Sequence, residues 1–280
     1  MTIRTLVLST AMLWTGCDAT QSSEPPPQPQ AVALPAASPQ GASEERTQEI
    51  TFKAGTVIEV AYAAVKPGKE SQLFEEYFPK AMPLAAKHGG KSLGSFQVVE
   101  VVEGTAQPQL VAFFEWDSVQ SWLDLHADPE FQAVVPIRDD ALSFIRSGNF
   151  YTVDQNTTVS VSDARVYQTW SAELAPGGDA LIREYATKIE SLASQAGKHS
   201  LVSLTPVPMS AGQTESVVDA CDNTALPTTA GRFALSEWPS LESFKRFYGS
   251  EDMRTARALR DRATTSVSLL QTRFAFPPRT

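Results

Sequence analysis

Residues 115–122 read EWDSVQSW, and residues 237–244 read EWPSLESF. The two stretches lie 122 positions apart, and residue character persists at that offset through position 141. Trp122 falls on Phe244, Leu125 on Phe247, Phe131 on Met253, Arg138 on Arg260, Asp139 on Asp261 and Ala141 on Ala263. Upstream the offset becomes 108 or 109: Pro67-Gly68 matches Pro176-Gly177, Glu76-Tyr77 matches Glu184-Tyr185, Gly89 matches Gly197, and Ser92-Leu93 matches Ser200-Leu201. The difference is an insertion in the second copy at 205–229, TPVPMSAGQTESVVDACDNTALPTT, whose composition is that of a loop.

Each copy can be read locally. In the first, Ile58, Val60, Tyr62 and Ala64 alternate with Glu59, Ala61 and Ala63, the period of a strand. After Lys66-Pro67-Gly68, the apolar positions Leu73, Phe74, Tyr77, Ala81, Leu84, Ala85 and His88 follow helical spacing, with Pro79 and Pro83 bending or interrupting the helix. Gly89-Gly90 ends it, since glycine past a helix terminus accepts the left-handed conformation. Residues 92–102 and 109–116 read as two strands joined at Glu103-Gly104-Thr105. Asp117 or Ser118, and Ser240 in the other copy, can cap a second helix. Its apolar stripe is Val119, Trp122 and Leu125, or Leu241, Phe244 and Phe247. Asp128-Pro129 breaks it, a further helical segment spans 130–142, and a last strand spans 144–153. The order strand, helix, strand, strand, helix, strand is the split βαβ arrangement of a ferredoxin-like unit. Such a unit covers one sheet face with helices and leaves the other bare, so a second sheet must cover it. The sequence therefore predicts an α+β fold of two tandem ferredoxin-like units, 49–156 and 157–280, packed sheet to sheet as a pseudo-dimeric α/β barrel within one chain.

The N-terminal residues carry a different signal. MTIRTLVLSTAMLWTGC gives one basic residue, Arg4, then a short apolar run ending in small residues before Cys17. That is the pattern of a secretory signal, too short for a membrane span of roughly 20 apolar residues. The Thr-Gly-Cys ending resembles a bacterial lipobox, which implies a signal peptide over 1–16 and lipidation of Cys17. Residues 17–48 are rich in Pro, Gln, Ala and Ser and hold no aromatic residue, the composition of a disordered tether. The expected location is the bacterial cell envelope, the folded part outside the cytoplasm and held to a membrane through lipid alone.

Net charge is −9 and the pI is near 4.9, with lysines and arginines scattered. Nucleic acid and anionic lipid surfaces require a basic face and are not expected as partners. With Cys17 lipidated, Cys221 has no partner for an internal disulfide, and His88, His126 and His199 have no ligand spacing, so neither a metal nor another cofactor is expected.

The stretch KPGKESQLFEEYFPKAMPLAAKHGGKSLG, followed by VVEVVEG, FFEWDSVQSW and DPEFQAV, resembles the dimeric α/β-barrel superfamily, with NIPSNAP-like proteins and small uncharacterised domains among its nearer branches. The resemblance spans 55–155 and, more loosely, 163–276. It implies the fold and leaves chemistry open, because the superfamily includes cofactor-free monooxygenases, haem-handling enzymes and isomerases. It also implies that small ligands sit between sheet and helices or inside the barrel. Candidate ligand-binding residues are therefore the strand aromatics Tyr62, Phe96, Phe114 and Trp170, with Arg165, Arg232 or Arg273 for an anionic group if they point into the barrel. His88 is the candidate acid/base residue, set against a packing role at a helix end. His126 and His199 read as surface residues. Glu115 and Glu237 read as parts of a shared strand-to-helix turn, and Arg138-Asp139 and Arg260-Asp261 as helix-surface ion pairs. The copies differ in that the first has Tyr62, His88 and the glycine pair, whereas the second has Trp170, the insertion and Cys221.

Three readings follow: a lipid-anchored protein binding a small, largely apolar molecule in one half, a cofactor-independent monooxygenase or isomerase, or a non-catalytic module binding an envelope partner. The internal pairing of two sheets predicts a monomer.

Overall fold

The computed structural model describes residues 45–207 and 231–276. The expected signal segment, Cys17, most of the expected tether, Cys221 and all but the first residues of the expected insertion lie outside them. β1 (Thr47–Phe52) is followed by β2 (Val57–Val65), a π-helical turn (Gln72–Tyr77) continuing into α1 (Phe78–Lys87), β3 (Lys91–Glu103) and β4 (Leu110–Trp116). Next come α2 (Val119–Ala127), α3 (Pro129–Gln132), α4 (Val135–Ala141), β5 (Leu142–Arg146), β6 (Phe150–Thr152) and β7 (Thr157–Ser162). The remainder is β8 (Val166–Leu174), α5 (Asp179–Gln195), β9 (His199–Pro206), β10 (Arg232–Trp238), α6 (Leu241–Tyr248), α7 (Glu251–Ala263) and β11 (Thr264–Phe274).

The strands form an antiparallel ladder β4-β3-β11-β8-β10-β9-β6-β2 that closes on itself because β2 also pairs with β4; β5 pairs with β2 beyond β6. This is an α+β protein built on a closed eight-strand barrel. The first half runs β3-β4-β2-β5/β6 and the second β9-β10-β8-β11, joined edge to edge through β3–β11 and β6–β9. Registers coincide as well: Val57 faces Trp116 across β2–β4, and Val166 faces Trp238 across β8–β10. The offset along these first strands is thus 109.

Alternation along β2 sends Ile58, Val60, Tyr62 and Ala64 into the barrel and Glu59, Ala61, Ala63 and Val65 out beneath the helices. An eight-strand barrel is just wide enough for side chains to fill. Here Phe113 sits among Phe52, Phe96 and Phe233 at centroid distances of 5.9, 5.6 and 5.6 Å, all near edge-to-face. The ribbon β1–β7 adds Ile50, Phe52, Val159 and Val161 to that interior. It begins at Thr47, so the folded part reaches slightly into the segment expected to be tether.

Local chemistry sets the helices. Ser118 and Ser240 each accept a hydrogen bond from the backbone N–H three residues on, Ser121 and Ser243, both at 3.1 Å, and so cap α2 and α6. The π-helical turn lies just before Pro79, and the Phe78 N–H reaches the Leu73 carbonyl. Pro79 starts α1 and Pro83 is tolerated within it. The expected helix over 130–142 divides into α3 and α4, and the expected strand over 144–153 divides into β5 and β6 around Gly148, whose φ is +74°.

Phe113 offers the sharpest test of this interior. Replacing it with Ala should lower unfolding stability by about 3–5 kcal/mol, read from the denaturant midpoint at unchanged slope.

Candidate functional site

Between the outer face of β2–β4 and the helices α1–α4 lies a cavity of about 120 Å³. Small side chains create it: Ala61 and Ala63 on β2, Ala112 on β4, and Ala81 and Ala85 on α1. Tyr77, Phe78, Phe114, Trp116, Trp122 and Phe131 form aromatic walls, and Glu59, His126, Arg138 and Ser147 are its polar members.

Glu59 is the group around which these elements meet. It is 3 % exposed, and its carboxylate accepts three hydrogen bonds from three different elements. Trp116 Nε1, at the end of β4, donates to Oε2 at 2.9 Å. Trp122 Nε1, in the first turn of α2, donates to Oε1 at 3.1 Å, and the Gly148 backbone N–H donates to the same oxygen at 2.9 Å. The break between β5 and β6 turns that N–H inward. Trp116 in turn depends on the glycine pair: Gly89 adopts φ +79° after α1, and a Cβ on Gly90 would overlap the Trp116 ring. Burial pushes the Glu59 carboxyl above its ordinary value, against the pull of Gly148, Trp116, Trp122 and the charge of Arg138.

His126 stacks on Trp122 with ring centroids 3.6 Å apart and meets Phe131 edge-on. Its Nδ1 lies 2.9 Å from the Trp122 carbonyl. A carbonyl can only accept, so Nδ1 carries the proton. Burial lowers its pKa to about 4, helped by Arg138 and opposed by the carbonyl bond, so the ring is neutral at pH 7. Arg138 is 3 % exposed and bonds Asp139 Oδ1 through Nε at 2.8 Å. The expectations of a surface histidine and a surface ion pair are therefore corrected: both His126 and Arg138 line the cavity, because α2 and α4 turn these faces toward β2.

The same place in the second half is built from corresponding positions but is shaped differently. Gln168 stands at the position of Glu59, where its Oε1 accepts from Trp238 Nε1 at 2.9 Å. Trp170 stands at the position of Ala61, and Phe244, Tyr248, Met253 and Arg260 at those of Trp122, His126, Phe131 and Arg138. The space left is about 20 Å³. Arg260 is held there by a two-point pair with Glu103, at 2.7 and 2.8 Å. A wider groove of about 850 Å³ lies between α5 and β8–β10; Pro206 and Gly231, which flank the undescribed residues 208–230, form part of its rim.

The sequence-derived candidates scatter across this map. Phe114 lines the first-half cavity, and Trp170 lines the second-half spaces. Tyr62 and Phe96 point into the barrel; burial pushes the Tyr62 hydroxyl up to about 12, with Ser171 as its hydrogen-bond partner. Arg165, Arg232 and Arg273 are exposed and do not reach the interior: Arg165 lies 3.8 Å from Glu237, Arg232 pairs with Asp179 and Arg273 reaches the Asp163 carbonyl. His88 lies outside the cavity lining, at the end of α1, with Nε2 2.8 Å from Asp128 Oδ2. Glu115 pairs with Lys53 at 2.9 Å. Among the described residues, no group of three His, Cys, Asp or Glu could hold a metal ion, and no helix is long and apolar enough to cross a membrane.

Comparison with known proteins fits this architecture. A crystal structure of an anthrone oxidase-like protein superposes with a TM-score of 0.52 at 14 % identity, covering 82 % of this chain and 95 % of its own. The fold is that of the dimeric α/β barrels. A monooxygenase candidate from Lactobacillus acidophilus (TM-score 0.37, 8 % identity, 79 % and 94 % covered) and chlorite dismutase from Candidatus Nitrospira defluvii (TM-score 0.41, 9 % identity, 80 % and 93 % covered) are more distant. A domain of unknown function, DUF1330, matches residues 63–146, the stretch that supplies most of the cavity walls. No curated protein matches.

Two pH-dependent outcomes follow. The ionised Glu59 is disfavoured in the folded chain, so the stability of wild type relative to Glu59→Gln should fall as pH rises above about 4.5; a constant difference between two urea-denaturation series would contradict this. Asp128 behaves oppositely, since His88, then Lys87 and the Glu130 N–H, hold its carboxyl well below the usual range. Asp128→Asn should destabilise the chain at neutral pH, with the loss shrinking as pH drops below about 3.8.

Proposed function

We propose that the protein binds one small, largely apolar molecule in the first-half cavity between β2–β4 and α1–α4. The observation that carries this reading is the space itself: about 120 Å³ beside Ala61, walled by small apolar and aromatic side chains, at a position where the second half has Trp170. Packed interiors rarely leave space larger than a water molecule without a use for it. The volume suits one ring, since an engineered apolar cavity of about 150 Å³ takes up benzene.

On the same reading the halves are tandem ferredoxin-like units, the second serving as the internal partner that single-unit relatives obtain by dimerising. Their shared strand order, coincident registers and corresponding caps support this. The molecule is then a monomer, exported and lipid-anchored at Cys17 through the tether, as the N-terminal sequence suggests. Binding alone accounts for the site, with no catalytic step required.

The test is to copy the second half into the first. Toluene should bind the purified wild-type protein saturably in calorimetry and raise its melting temperature. Ala61→Trp should abolish both effects while melting at or above the wild-type temperature. No saturable uptake of toluene by the wild-type protein would end the proposal.

A further inference from the structure

The cavity contains more than apolar walls, and its ligand chemistry can be narrowed by counting acceptors and donors at Glu59. A carboxylate offers about four acceptor positions on its two oxygens. Trp122 Nε1 and the Gly148 N–H take both on Oε1, and Trp116 Nε1 takes one on Oε2. One position on Oε2 is left, on a residue that borders the cavity. In the second half the corresponding residue is the neutral Gln168, bonded to Trp238. A carboxyl group therefore stands at this position only in the first half. A purely structural link to the indole needs no charge, as Gln168 demonstrates, whereas placing a carboxyl at 3 % exposure carries a desolvation cost.

The other polar groups of the cavity limit what Glu59 can recognise. His126 is neutral, its Nδ1–H already given to the Trp122 carbonyl. Arg138 is engaged with Asp139 and supplies positive charge that partly balances Glu59. An anionic ligand would meet the carboxylate directly. A neutral ring carrying a hydrogen-bond donor would meet an acceptor and aromatic walls.

Resting on the cavity reading above, we propose that Glu59 is the ligand-recognising residue of this site and that the ligand class is a single-ring phenol or cyclic enol, whose hydroxyl donates to Oε2 while its ring lies among Phe114, Trp116 and Trp122. A hydrogen bond from a ligand to a buried acceptor position that would otherwise stay unpaired discriminates against ligands that lack the donor. Glu59 then sets specificity, and the alanine-lined space sets size.

The experiment compares phenol, toluene and benzoate on the wild-type protein and on Glu59→Gln, by calorimetry at neutral pH. Phenol should bind wild type about tenfold or more tightly than toluene, benzoate should bind more weakly than either, and Glu59→Gln should bring phenol and toluene to within about twofold. Toluene binding wild type as tightly as phenol would overturn the role of Glu59 while leaving the cavity reading intact, and this arm needs no variant. Benzoate binding most tightly would overturn it in favour of Arg138, and a phenol preference that survives in Glu59→Gln would overturn it as well. Failure of all three ligands to bind wild type would remove the cavity reading and this inference together.

Discussion

A carboxylate withdrawn from water must be given donors, and those donors must come from somewhere rigid. Glu59 takes its three from the end of β4, the first turn of α2 and the break between β5 and β6. Each donor carries its own requirements. The Trp116 indole lies against Gly90, so the chain leaving α1 must be bare of side chain there. Trp122 points inward because Ser118 starts α2 at a fixed residue. Gly148 faces the carboxylate because the last strand of this half is interrupted, whereas β11 in the second half is not. Much of what distinguishes the first half from the second is thus traceable to holding one buried carboxyl group.

The second half shows a similar framework without that group. Gln168 needs only Trp238, Phe244 has no N–H to offer, and Trp170 occupies the space that Ala61 leaves open. Arg260 finds its partner in Glu103 from the first half and ties α7 to β3. That side chain therefore binds the two halves together, where Arg138 stands at a cavity wall. Of the two halves, only the first has an acid at this position of its sheet.

The α+β architecture was largely readable, because strand and helix periods can be followed along both halves and glycine and serine mark the turns and caps. The site was less readable, for a geometric reason. Placing Trp170 opposite Tyr62 is a slip of one residue, and in a strand one residue is the difference between the barrel interior and the helix-covered face. In the observed register Trp170 corresponds to Ala61, and Tyr62 to Ser171, its hydrogen-bond partner inside the barrel. The contrasts Ala61/Trp170 and Glu59/Gln168 were available in the letters and would have pointed to the cavity. His126 and Arg138 were hidden differently: their positions on α2 and α4 read as solvent-facing until helix breaks at Asp128 and Val134 tilt those faces inward. The ribbon β1–β7 gave almost no signal, since each strand contributes only two apolar residues to the core.

Closure of the barrel also orders events in time. β3 completes its hydrogen bonding only with β11, the last strand of the chain, so Val101 waits for Leu270. Until the C-terminal strand has been made, the first half presents an open edge and Phe96, beside Phe113, lacks Phe274. Such long-range pairing is slow to form, because the entropy of closing the loop is lost before the contacts reward it. The chain therefore remains loosely held through most of its synthesis and tightens when its final residues arrive.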